Sequence, residues 1–224
     1  MKKQKKIGAY ELTIYLPDRE AEGVIYIPSH GNSEEIAALL PEFPAALVFI
    51  GGFDWNRDLS PWPAKAVFGD EDFGGQADAF FNALTESLVP AAEKEMPAEP
   101  LWRGVAGYSL AGLFAVYAAY KSRLFTRVAS VSGSMWFDGW MDYARNTPLA
   151  ARVTRAFFSV GAKEKKTRNL RMQPVEENTR AMRELFEARG AQSVFVLNPG
   201  NHFVDAQKRL ADALTCLMEG SPNQ

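Results

Sequence analysis

Three features of this 224-residue chain predict an α/β fold, with a mostly parallel central sheet, helices on both faces and little built above it. Short apolar, β-rich runs alternate with helical patterns along the chain, as βα repeats do. Several runs, Leu47-Val48-Phe49-Ile50 and Val194-Phe195-Val196-Leu197 among them, are apolar without interruption, as expected of parallel strands buried on both sides. A hydrophobic content of 47% at this length suits one full core, so residues 1–224 are read as a single domain.

Strands are expected over residues 11–16, 23–28, 45–50, 102–107, 127–132, 156–160 and 193–198. Helices are expected between them. The one at 33–40 is short, and the one at 76–92 carries Phe80, Phe81, Leu84, Leu88 and Val89 at helical spacing. The stretch 110–121 is apolar almost all round, which predicts a buried helix. Helix 174–189 has Pro174 at its first position and stops at Gly190, both good boundary signals. Helix 203–218 closes the pattern. Residues 51–75, with Phe53, Trp55 and Trp62, and residues 134–148, with Trp136, Phe137, Trp140 and Tyr143, read as neither strand nor helix. Aromatic side chains on loops of that length cover either the core or a pocket.

Composition narrows the function classes. The formal net charge is −2, so no global basic field points to nucleic acid. Two histidines far apart and one cysteine make no zinc site, and no phosphate-binding loop occurs, so neither metal nor cofactor is expected. No apolar run approaches the roughly 20 residues of a membrane span. The basic N-terminus has no apolar core after it, because Glu11, Thr13 and Asp18 interrupt; no signal peptide and a cytoplasmic location are expected. Cys216 lies in an apolar-periodic stretch and reads as a packed thiol in a reducing compartment. The oligomeric state stays open.

The strongest chemical signal is Gly107-Tyr108-Ser109-Leu110-Ala111-Gly112, between a predicted strand and a predicted buried helix. A serine on such a turn is pushed clear of the sheet, and only small residues fit two before and two after it. Gly107 and Ala111 satisfy this, although Ala111 departs from the commoner Gly-x-Ser-x-Gly. A serine hydroxyl needs a neighbouring base near neutral pH. His202, in a glycine-containing loop between the last strand and the last helix, is in the right place and order. The third member is expected at Glu164, just past the strand at 156–160, with Asp138 and Asp205 as rivals. A solvated ion pair with Lys163, Lys165 or Lys166 is the bland reading of Glu164. His30, in Ser29-His30-Gly31-Asn32, is read as organising a turn whose Asn32 or Gly31 N–H receives an oxyanion together with the N–H of Leu110. Gly51-Gly52-Phe53 is the alternative turn; Asn32 is preferred.

These residues resemble the α/β-hydrolase superfamily, in its esterase D and ferric-siderophore esterase branch. The resemblance runs from about Gly23 onward. It rests on residues 25–32, Arg57-Asp58-Leu59-Ser60-Pro61, the Ser109 elbow, Val131-Ser132-Gly133-Ser134-Met135-Trp136, residues 161–164 with 176–179, and Gly200-Asn201-His202. It implies hydrolysis of a small-molecule carboxylic ester through an acyl-enzyme, with Arg57 near the pocket. With no large inserted cap, the pocket is expected to be shallow and open, which argues against a siderophore substrate. Trp55 and Trp136 are expected to wall it, since both follow strands at the carboxyl edge of the sheet. The basic run at 163–171 reads either as a solvated approach to a helix or as steering for an anionic substrate. An acyltransferase could use the same residues. A non-catalytic binding protein on the same scaffold is the reading from another class, and the retained serine, histidine and acid argue against it.

Overall fold

The computed structural model describes residues 1–40, 43–67 and 69–219. The chain opens with β1 (Lys2–Ile7), paired antiparallel to β2 (Tyr10–Tyr15) through a turn where Gly8 takes φ 59°. Next come β3 (Gly23–Pro28), α1 (Ser33–Ala38) and β4 (Ala45–Gly51). A short α2 (Trp55–Asp58) and a ribbon of β5 (Pro63–Ala64) with β6 (Phe73–Gly74) lead to α3 (Ala77–Ala83), a π-turn (Leu84–Leu88) and α4 (Val89–Glu93). Strand and helix then alternate: β7 (Trp102–Tyr108), α5 (Leu110–Lys121), β8 (Arg127–Val131) and α6 (Trp140–Asn146). The described chain closes with β9 (Arg155–Gly161), α7 (Val175–Ala188), β10 (Gln192–Asn198) and α8 (Ala206–Met218).

Eight strands form one sheet in the order β1-β2-β4-β3-β7-β8-β9-β10. Strand β2 is antiparallel to β4, and from β4 to β10 every neighbouring pair is parallel. Alternate residues of the inner strands face two cores. Val24, Tyr26, Ala46 and Val48 pack with α3, α5 and α7, whereas Ile25, Ile27, Leu47 and Phe49 pack with α1 and α8. This double burial is why those strands read as unbroken apolar runs. Helix α5 is buried along eleven of its twelve residues, as its all-round apolar sequence predicts. No helix among the described residues is long and apolar enough to cross a membrane.

Several expectations need correction. The lysine-rich start is a strand: β1 has no apolar alternation because it is the sheet's edge, where lysines discourage further pairing. The expected helix at 76–92 contains a π-turn. Pro90 lacks an N–H, and its ring crowds the carbonyl of Glu86, four residues back and inside that turn. Residues 51–75 and 134–148 contain α2, the ribbon and α6. Trp140, read as a loop aromatic, is fully buried inside α6. Pro174 is the N-cap of α7, one position earlier than expected, and α8 begins at Ala206, not at 203.

Candidate active site

Strand β7 ends at Tyr108 and α5 begins at Leu110, leaving Ser109 alone on the bend. Ser109 holds φ 59° and ψ −123°, a region that costs a non-glycine residue about 1–3 kcal/mol. Its surroundings enforce it. The Ser109 N–H donates to the Val131 carbonyl at 3.0 Å, and the Ser109 carbonyl accepts from Gly112, Leu113 and Ser134 at 3.0–3.1 Å. The need for small neighbours is direct: a Cβ on Gly107 would stand 2.3 Å from the carbonyl of Ala111. Ala111 itself is fully buried, so its methyl is absorbed by the core.

Two loops at the carboxyl edge bring partners to this serine. His202, beyond β10, has Nε2 3.1 Å from Ser109 Oγ and Nδ1 2.8 Å from Glu164 Oε2. Glu164 lies in the turn after β9, its side chain only 6% exposed. Its Oε1 accepts from the Gly161 N–H at 2.6 Å and the Ser132 hydroxyl at 2.8 Å. Burial by itself would raise this carboxyl, but the His202 hydrogen bond and charge, with the Gly161 and Ser132 donors, hold it below the usual carboxylate range. An ionised carboxylate can only accept, so the ring proton sits on Nδ1 and Nε2 is free to accept from Ser109. Of the rival acids, Asp138 is bound to Arg171 at 2.6 Å, and Asp205 is exposed at the N-cap of α8.

Sequence reasoning missed Arg209. Its side chain, 3% exposed, reaches from α8 beneath the site, with Nη1 3.6 Å from Glu164 Oε1. Nη1 donates to Ser132 Oγ at 3.3 Å, and Nη2 donates to the carbonyls of Pro199 at 2.7 Å and Asn201 at 3.1 Å. The acid turn and the histidine loop thus share one guanidinium. Tyr108, beside the serine, donates its hydroxyl to the His202 carbonyl at 2.5 Å.

The oxyanion candidates divide by topology. Strand β3 pairs directly with β7, so the Ser29–Asn32 turn leaves next to the elbow, while β4 and its Gly51-Gly52-Phe53 turn lie one strand further out. Asn32 has φ 62° and borders a surface depression shared with Lys2 and Gln4. His30 joins the two turns: its Nε2 is 3.2 Å from the Phe53 carbonyl, and its ring stacks on Phe53 at 4.7 Å. The Leu110 N–H, in the first turn of α5, has no helical acceptor by position.

A cleft of about 250 Å³ opens in front of Ser109 and His202, with Trp136, Met172, Val175 and Phe203 among its walls. Trp136 therefore stands where the sequence puts it. Trp55 and Arg57 both lie on α2. The Trp55 ring lies 5.0 Å from that of His30, and Arg57 grips Asp58 through two hydrogen bonds of 2.7 and 2.9 Å. Among the described residues, no group of three or more His, Cys, Asp or Glu side chains is placed to hold a metal ion.

Sheet order, strained serine elbow and the Ser109–His202–Glu164 chain of contacts define an α/β-hydrolase. The model of the family described as "Putative esterase" matches residues 29–215, and the chain belongs to that family. It is a carboxylic ester hydrolase by class. A protein of Bacillus subtilis (strain 168) described as "Uncharacterized protein YbbA" is 27% identical over 204 residues, 84% of this chain and 82% of that one. Among solved structures, the siderophore hydrolase EstB from Aspergillus nidulans superposes with a TM-score of 0.76 at 18% identity, covering 99% of this chain and 96% of the other. An IroE-like serine hydrolase from Shewanella oneidensis also gives 0.76 at 18% identity, covering 97% and 79%. At these identities the structural likeness speaks for the fold.

Proposed function

We propose that the chain hydrolyses a small-molecule carboxylic ester or thioester through an acyl-enzyme on Ser109. The observation that carries this reading is the continuous chain of contacts from Ser109 Oγ through His202 to the ionised Glu164. His202 Nε2 takes the Ser109 proton as Oγ attacks the scissile carbonyl, and Glu164 stabilises the imidazolium that forms. The Leu110 N–H and an N–H of the Gly31-Asn32 turn receive the developing oxyanion; the adjacency of β3 and β7 supports this pairing. The imidazolium protonates the departing alcohol or thiol. A water deprotonated by His202 then attacks the acyl carbonyl and returns Ser109.

Ser109→Ala tests it. Loss of a triad nucleophile costs several orders of magnitude in turnover, so hydrolysis of activated esters should vanish while thermal unfolding stays within a few degrees of the parent. A fluorophosphonate probe should label the parent at Ser109 alone. Activity retained in the variant, or labelling at another serine, would overturn the assignment.

A further inference from the structure

The turn that carries Glu164 also carries two lysines that face the same cleft. Lys163 and Lys166 line it together with Ser109 and His202, and both are exposed. Two of the basic residues near them are paired, Lys165 with Glu176 at 2.9 Å and Arg171 with Asp138 at 2.6 Å. Among the described residues, Lys163 and Lys166 have no carboxylate partner. Glu164, the acid of that wall, spends Oε2 on His202 and Oε1 on Gly161 and Ser132. It also lies 3.6 Å from Arg209, so its charge already has a partner other than the lysines.

The backbone beneath these lysines is fixed to the site. The Lys163 N–H donates to the Gly200 carbonyl of the histidine loop at 2.9 Å, and the Lys166 N–H to the Lys163 carbonyl at 3.1 Å. The same cleft is lined by the apolar side chains of Trp136, Met172, Val175 and the 83%-exposed Phe203. A cleft lined by aromatic and aliphatic side chains together with two lysines that have no carboxylate partner is complementary to an amphiphilic anion.

We propose that the ester taken by this site carries one anionic group, a carboxylate or a phosphate, set apart from the scissile carbonyl by an apolar, ring-sized spacer. The spacer lies on Trp136 and Phe203, and the anion meets Lys163 and Lys166. This rests on Ser109 being the reacting centre, so the decisive measurement is one of binding and needs no turnover.

In the Ser109→Ala background, 4-carboxyphenyl acetate and 4-phosphophenyl acetate are titrated by calorimetry beside the neutral 4-(methoxycarbonyl)phenyl acetate. At least one anionic ester should bind about 2- to 30-fold tighter than the neutral one, the factor that two exposed ion pairs supply. Which one does so tells carboxylate from phosphate. That preference should fall toward one in 0.5 M salt, where screening extends only a few ångströms, and in Lys163→Gln/Lys166→Gln added to the same background. Equal binding of all three esters, or a preference untouched by the lysine replacements, overturns the proposal. Turnover retained by Ser109→Ala overturns the nucleophile assignment instead, and the binding comparison still decides this one.

Discussion

Arg209 touches both parts of the site that sequence reasoning assembled separately. Among the surrounding residues, Leu210, Ala213, Leu214 and Leu217 are buried on the same inward face of α8. That periodicity, with a charge set among apolar positions, was the one available signal, and it is faint beside exposed Lys208 and Asp212 on the same helix. That Ser109, His202 and Glu164 would meet was legible because glycine spacing, chain order and strand ends all constrain them. Arg209 was not, because nothing in a one-dimensional pattern says which carbonyls a buried guanidinium will meet. Replacing it with Met would leave the Pro199 and Asn201 carbonyls and the Ser132 hydroxyl short of a donor, and each such buried loss costs about 1–3 kcal/mol. Arg209→Met should therefore lower the melting temperature by several degrees. It should also lower kcat at least tenfold with little change in KM, since it disturbs the His202–Glu164 geometry and not the cleft walls. Arg209→Lys, which restores the charge but not the fork, should recover stability better than kcat. A fall in KM-dependent binding alone would contradict this role.

At the scale of elements, the elbow is a packing problem between β7 and α5. Seven strands of the main sheet were predicted within a residue or so of their ends, because burial on two faces leaves an unmistakable apolar run. The edge strand β1 was missed because lysines at an edge carry no such run, and α6 was missed because its aromatics were read as loop cover. The Gly107–Ala111 contact makes a sharp prediction. Gly107→Ala would place its methyl 2.3 Å from both the carbonyl carbon and the oxygen of Ala111, so β7 and α5 must separate. Overpacking of this kind costs about 1–3 kcal/mol or more, and the variant should unfold at lower denaturant and lose most of its esterase activity. Because the clash is with backbone atoms, Gly107→Ala/Ala111→Gly should not recover. Full recovery in the double variant would show that the methyl of Ala111 alone sets the limit.

Across the whole molecule, the residues of the candidate site come from strands of unequal security. Ser109 follows β7, which has strand neighbours on both sides, β3 and β8. His202 follows β10, which pairs with β9 alone and whose residues are mostly only half-buried. A strand held on one side opens at lower free energy than one held on both. His202 thus hangs from an edge of the sheet and Ser109 from its centre. In a guanidinium titration, hydrolysis should fail at a lower concentration than the intrinsic fluorescence of the five tryptophans, four of which lie in or beside α2, β7 and α6. Coincident transitions would mean that β10 is as tightly bound as the centre. Where the two curves part, their separation reports the free energy of opening one edge of the sheet, so the enzyme's own turnover becomes a local gauge of cooperativity that no global probe supplies.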